Sequence, residues 1–249
     1  MSCFDLAPDK PVPFAYKIQW FAVKSHDPNS VVDALEFGER ASANWTSGIA
    51  AAYEASQAKP WVFVSPPVNG WILIVSRALP YPTPPTVRWA DIGAAFDVLF
   101  SRLMKRFDDV QFFANHRVSD FYAWARAQGR EAKRIFAYGD GVEVNVGDQT
   151  LEEANLRLIN LSGLTPSAAT ERIFETAEQR AAERKTFLAT SGLSPDAARR
   201  RAMPNYPFAI PDETDVVALA GLWSIDPREL PDQETPPGFL VRLPAKLRG

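Results

Sequence analysis

The residues best placed for chemistry lie in one short run, FFANHRVSDFYAWARAQG at 112–129. It holds His116, one of two histidines in the chain, with Asn115 and Arg117 beside it and Asp120 four residues on. An imidazole exchanges protons near neutral pH, and a carboxylate one helical turn away would orient it for general acid–base work. The same residues also have a structural reading. Asn115 and His116 then form a turn, Ser119 caps a short helix, and Phe121, Tyr122 and Ala125 are its buried face. A third reading makes this polar corner a contact for a partner or ligand. The sequence pairs His116 with no nucleophile, ligand set or oxyanion element, so no residue is assigned as catalytic. Trp71, at the end of an apolar hairpin, joins Asn115, His116, Arg117 and Asp120 as a candidate binding residue, because buried aromatic and arginine anchors dominate partner surfaces.

Other chemistries find less support. His26, His116 and the single Cys3 provide neither CxxC nor HExxH, and a closed zinc site takes four ligands, usually Cys and His. A carboxylate-only magnesium site would draw on Asp108 with Asp109, or on Asp212, Glu213 and Asp215. A loop and a first helical turn explain those acids equally well, since carboxylates favour helix N-termini. SPPVNGW and YGDGVEVNVG contain glycine but match neither a Walker loop nor GxGxxG, and there is no GxSxG elbow. We therefore expect no cofactor and no metal. The one basic run, ARRR at 198–201, reads as a solvated helix end.

The elements that must position these residues follow from periodicity and caps. Residues 14–25 alternate as a strand with one buried face. Asp27 and Pro28 open a helix that runs towards residue 57, with a break near Gly48. WVFV and WILIVS, separated by SPPVNG, read as a hairpin of central strands covered on both faces. Residues 88–107 carry Trp89, Ile92, Phe96, Leu99, Phe100, Leu103 and Phe107 at helical spacing. VQFFA is a strand, and 119–129 reads as a short helix stopped by Gly129. EAKRIFAYGDGVEVNVG reads as a hairpin turning at Asp140-Gly141 through positive φ angles. Thr150 with Glu153 is a capping box. Thr165-Pro166 and Ser194-Pro195 open two further helices, 166–188 being a surface helix with a thin apolar stripe. Residues 212–224 form a helix with Val216, Leu219, Ala220 and Trp223 on one face. The tail from 231 is proline-rich and extended.

The order from 14 to 115 is thus strand, helix, strand, strand, helix, strand, which gives an α+β fold with a ferredoxin-like βαββαβ unit. Residues 110–159 repeat the start of that order and suggest a duplication. We expect an α+β sheet domain over 1–160 and a helical, proline-rich C-terminal region over 161–249 packed on it.

The 249 residues are 46% hydrophobic and 23% charged with a formal net charge of -3. That composition predicts an ordinary globular protein and argues against a general nucleic-acid binder, which needs a basic surface. One cysteine allows no intrachain disulfide, and the N-terminus lacks the basic start and apolar run of a signal peptide. No apolar run approaches the roughly 20 residues of a membrane span. The expectation is a cytoplasmic protein with no membrane partner.

WVFVSPPVNGWILIVSRALP, FDDVQFFANHRVSDFYAWARAQG and PDETDVVALAGLWSIDP together resemble a family of bacterial cytoplasmic proteins with no established activity. That family carries an SP…GW hairpin, an HR…WA segment and a helix ending in WSxDP. The resemblance spans about 60–227. Some such proteins look like immunity proteins of toxin systems, so the resemblance implies a protein partner, a toxin encoded nearby. The sequence thus predicts a non-catalytic intracellular binding protein of immunity type. Its rivals are an enzyme using His116 and nearby acidic residues, and a small-ligand sensor.

Overall fold

IQWFAVK forms β1 (Ile18–Lys24). It is the middle strand of a sheet covered on both faces, so Gln19 is as buried as the apolar residues around it. The one-sided burial expected from its alternation is corrected by that position. The amide of Gln19 is satisfied by donating from Nε2 to the Leu79 carbonyl at 3.1 Å. The computed structural model describes residues 4–54, 60–85, 90–205 and 209–247. Cys3 and Trp89 lie outside the described residues.

The remaining strands are β2 (Arg40–Ala43), β3 (Trp61–Val64), β4 (Trp71–Ser76), β5 (Asp109–His116), β6 (Phe121–Gln128), β7 (Glu131–Tyr138), β8 (Val142–Val146) and β9 (Gly238–Arg242). They form one nine-stranded sheet in the order β2-β9-β3-β4-β1-β5-β6-β7-β8. Every neighbouring pair is antiparallel. The helices are α1 (Pro28–Leu35), α2 (Trp45–Tyr53), α3 (Ala90–Arg106), α4 (Leu151–Asn155), α5 (Pro166–Thr190), α6 (Pro195–Asn205) and α7 (Glu213–Trp223). The fold is therefore α+β. No helix among the described residues is long and apolar enough to cross a membrane.

Two cores sandwich the sheet. On one face α1 and α3 pack with Phe21, Val64, Ile74 and Phe112. On the other, α2, α7 and the start of α5 pack with Trp20, Phe63, Phe113, Trp124 and Phe136. β3 and β4 are buried along their whole length, as their unbroken apolar runs require. Their connection closes through Asn69 and Gly70, both at positive φ. The apolar stripe of α3 is buried at Phe96, Leu99, Phe100 and Leu103. The caps expected at Asp27, Thr150 and Thr165 form, and Asp212 caps α7 with a capping box to Asp215.

Several expectations are corrected. The helix expected to run towards residue 57 is two helices separated by residues 36–44, which include β2, so the break is not at Gly48; residues 55–57 lie outside the described residues. Gly48 sits inside α2, where a Cβ would lie 2.3 Å from the Phe63 ring. Residues 119–129 are not a helix but β6, and the pair β5–β6 is a hairpin with His116 opposite Phe121. Gly129 and Arg130, both at positive φ, make the two-residue turn into β7. The β7–β8 hairpin is present, but Tyr138 pairs with Val142 across a bulge. Its loop is therefore three residues, and neither Asp140 nor Gly141 adopts positive φ. Residues 109–146 are thus a meander, not a second copy of the unit at 14–115. The sheet is also larger than one ferredoxin-like unit. The tail contributes β9, which inserts between β2 and β3, so the sheet is not confined to residues 1–160.

Candidate functional site

The five candidate residues do not converge. Successive β5 side chains point to opposite faces, so Asn115 faces α7 and His116 faces the α3 side. Asn115 is fully buried, and its Nδ2 donates to the Glu213 carbonyl at 3.2 Å. Two pleats earlier, Gln111 donates from Nε2 to the Trp223 carbonyl at 3.0 Å. The two amides thus hold the two ends of α7 against β5, a docking role. Trp71 pairs with Lys24 at one end of β1, whereas Asn115 pairs with Ile18 at the other, some ~20 Å away along the strand. Trp71 is 9% exposed and belongs to the core.

The other three residues lie around the β5–β6 turn. Ser119 closes it, donating from its backbone N–H and its hydroxyl to the His116 carbonyl at 3.0 and 3.2 Å. Arg117 is exposed, with Nη1 3.8 Å from Glu213 Oε2. Asp120 takes a left-handed conformation, φ 47°. It turns towards the α7 face, where the Tyr122 hydroxyl donates to its Oδ1 at 3.4 Å. The acid expected to orient His116 therefore sits on the opposite side of the sheet.

Two hollows flank this end of the sheet. On the α7 face, a hollow of about 560 Å³ is walled by Asp120, Tyr122, Tyr138 and Asp212, with Arg180 and Arg184 of α5 opposite. On the α3 face, a hollow of about 400 Å³ is lined by Tyr81, Thr83, His116, Phe121, Asp140 and Glu143, among others. Gly139 and Asp140, at the β7–β8 tip, border both. The two hairpin tips thus form a shared rim with carboxylates and aromatic rings on each side.

Burial sets the electrostatics here. Desolvation, reinforced by the nearby Arg77 charge, lowers the His116 pKa to about 4, so the imidazole is neutral at pH 7. Its Nε2 is buried and makes no hydrogen bond. Desolvation raises the Glu143 carboxyl and the Asp140 charge adds to it, while a hydrogen bond from the Thr83 hydroxyl opposes them. On the α7 face, desolvation and then the Asp120 charge push the Tyr122 hydroxyl up to about 12. Among the described residues, no group of three or more His, Cys, Asp or Glu side chains could hold a metal ion.

Sequence reasoning singled out His116 and the Asp140-Gly141 hairpin but missed that the two meet, and missed Tyr81, Thr83 and Glu143 as neighbours of His116. Tyr81 and Thr83 come from the proline-rich connector after β4, and no local pattern links a connector at 80–85 with a strand at 142–146. The chain has no significant match among protein-family models, curated proteins or solved structures.

Proposed function

We propose that the protein is a non-catalytic binding protein whose partner surface is the sheet end carrying the 117–120 and 139–141 hairpin tips. The observation that carries this reading is the pair of hollows meeting at the Gly139–Asp140 rim. Together they offer a broad two-sided surface of tyrosines and carboxylates, with Arg180 and Arg184 on the α7 side, the pattern of a partner contact more than of one deep active-site pocket. The immunity role, with a toxin as partner in the cytoplasm, is the narrower form of the same proposal. We also read β3-β4-β1-β5, with α1 and α3 on one face, as a ferredoxin-like core extended by β2, β9 and the meander. The adjacency of those four strands supports that reading.

An acid–base enzyme is the second reading, favoured by the unpartnered Nε2 of His116 beside Glu143 and Asp140. An imidazole with a pKa near 4 is a weak base at neutral pH, well below the range that makes a general base effective. Site-specific photocrosslinking tests the first reading. Val118 is 78% exposed at a hairpin tip, and Val98 on α3 is 41% exposed. A crosslinker at 118 captures the partner and one at 98 does not. Equal capture at both positions, or capture only at 98, contradicts the proposal.

A further inference from the structure

The hollow on the α3 face has a chemistry that selects its ligand. Tyr81 and Phe121 form one wall, their rings 4.7 Å apart. The carboxylates of Glu143 and Asp140 face the same space, and no Lys or Arg is among its described lining residues. Arg77 is not a lining residue and donates from Nη1 to the Tyr53 carbonyl at 3.5 Å, although its charge is felt at His116. His116 closes the hollow with a neutral ring whose Nε2 has no partner. Gly139 makes room for Glu143: a Cβ there would stand 2.5 Å from its Oε1. On the other side of the hydrogen-bonded Thr83 and Glu143 lies a neighbouring groove of about 410 Å³ lined by Pro82, Pro84, Ile135 and Val144, with Asp97 of α3 also on it.

Each feature points to the same class of ligand. The half-buried Glu143 carboxylate, with the exposed Asp140 at the rim beside it, repels anions and is relieved by a cation. Aromatic faces attract cations through their quadrupole. A neutral imidazole does not repel a cation. The prolines, Ile135 and Val144 of that groove suit an aliphatic chain, and its carboxylates do not oppose a cationic ligand. We propose that this hollow binds an alkylammonium group, with the charged head between Glu143, Asp140, His116 and the Tyr81–Phe121 wall, and the chain along the adjoining groove. The same head belongs to a free aliphatic amine and to a lysine side chain of a partner.

The inference rests on this sheet end being the binding surface, and the two fail separately. Crosslinking of a partner tests that reading, and titration of the purified chain with small probes tests this one. The probes are pentylamine, 1-pentanol and pentanoate, equal in length and different in charge, measured by calorimetry at pH 7.5. Pentylamine is expected to bind saturably and at least tenfold more tightly than pentanol, with pentanoate weaker than both. Glu143→Gln and Gly139→Ala should each weaken pentylamine at least tenfold. In the wild-type chain, the His116 imidazole resonances should shift on adding amine, a readout that needs no variant. Competition between pentylamine and a blocked Gly-Lys-Gly peptide assigns the site to lysine side chains. Exclusion of that peptide assigns it to free amines. Equal binding of amine and alcohol, tighter binding of pentanoate, or no His116 shift on amine addition overturns the inference.

Discussion

His116 and Glu153 show how a single environment sets a residue's role. The folded-state pKa of His116 is about 4 against 6.5 unperturbed, so between those values the unfolded chain binds the extra proton. Stability from this group is therefore complete above pH 6.5 and falls as pH drops towards 4, by an amount of the order of 3 kcal/mol. Asp215 acts oppositely. Desolvation raises it from 3.8 to about 6, so its contribution is complete below 3.8 and lost as pH rises through 6. Comparing His116→Gln with wild type in denaturant titrations isolates the first effect. The difference between them should change between pH 6.5 and 4 and be constant above, and the imidazole should titrate near 4 by NMR. Glu153 is almost fully buried and accepts from Arg134 Nε at 2.9 Å, from Trp124 Nε1 at 2.8 Å and from the Thr150 backbone N–H at 2.7 Å. Glu153→Gln leaves the buried Arg134 guanidinium without its counter-charge and should cost about 3–5 kcal/mol. Replacing the pair together, Arg134→Met with Glu153→Leu, removes the unpaired charge but leaves Trp124 Nε1 and the Thr150 N–H without an acceptor, so it should recover only part of that loss.

At the scale of elements, docking and packing are separable. Gln111 and Asn115 hold the carbonyls at the two ends of α7, so Gln111→Ala with Asn115→Ala should loosen that helix. Amide exchange should rise over 213–223 while α3 stays protected, at a cost of about 1–3 kcal/mol per lost bond. Phe100, 3% exposed and stacked on Phe96 at 5.3 Å, is core, and Phe100→Ala should cost about 3–5 kcal/mol. Gly48→Ala should cost about 1–3 kcal/mol, because the added carbon meets the buried Phe63 ring. The elements legible in the sequence were those whose signal is local. The stripe of α3, the face of α7 and the capped helix starts at Asp27, Thr150 and Thr165 each lie within a few turns of chain. β6 was misread because Ala123, Ala125 and Ala127 are good helix formers, and Ser119 and Gly129 resemble a cap and a stop. What decides the segment is non-local: β5 on one side, β7 on the other and a core on each face. β9 was hidden for the same reason, since GFLVR between prolines has no partner until β2 and β3 are placed beside it.

Across the whole molecule, the nine strands carry their two hairpin tips to one end, and the two hollows meet there. Of that site, His116 and Asp120 were visible in sequence as a polar corner. Their separation onto opposite faces was not, because it follows from a strand where a helix had been expected. Tyr81 and Glu143 reach His116 only through the tertiary fold. Trp71 lies at the far end of β1 and is not expected to touch a partner that binds at the rim. The claim that joins these observations is that the rim at Gly139–Asp140 is the binding surface. Asp140 is exposed at a hairpin tip and borders both hollows, so a charge reversal there should disturb binding without unfolding the chain. The deciding measurement is the affinity of the purified partner, captured through the crosslinker at 118, for wild type, Asp140→Arg and the control Val98→Arg. A loss of about 30-fold or more is expected for Asp140→Arg, the roughly 2 kcal/mol of a central interface residue, with Val98→Arg unchanged. Undiminished affinity in Asp140→Arg, with circular dichroism showing all three proteins folded, would contradict the account.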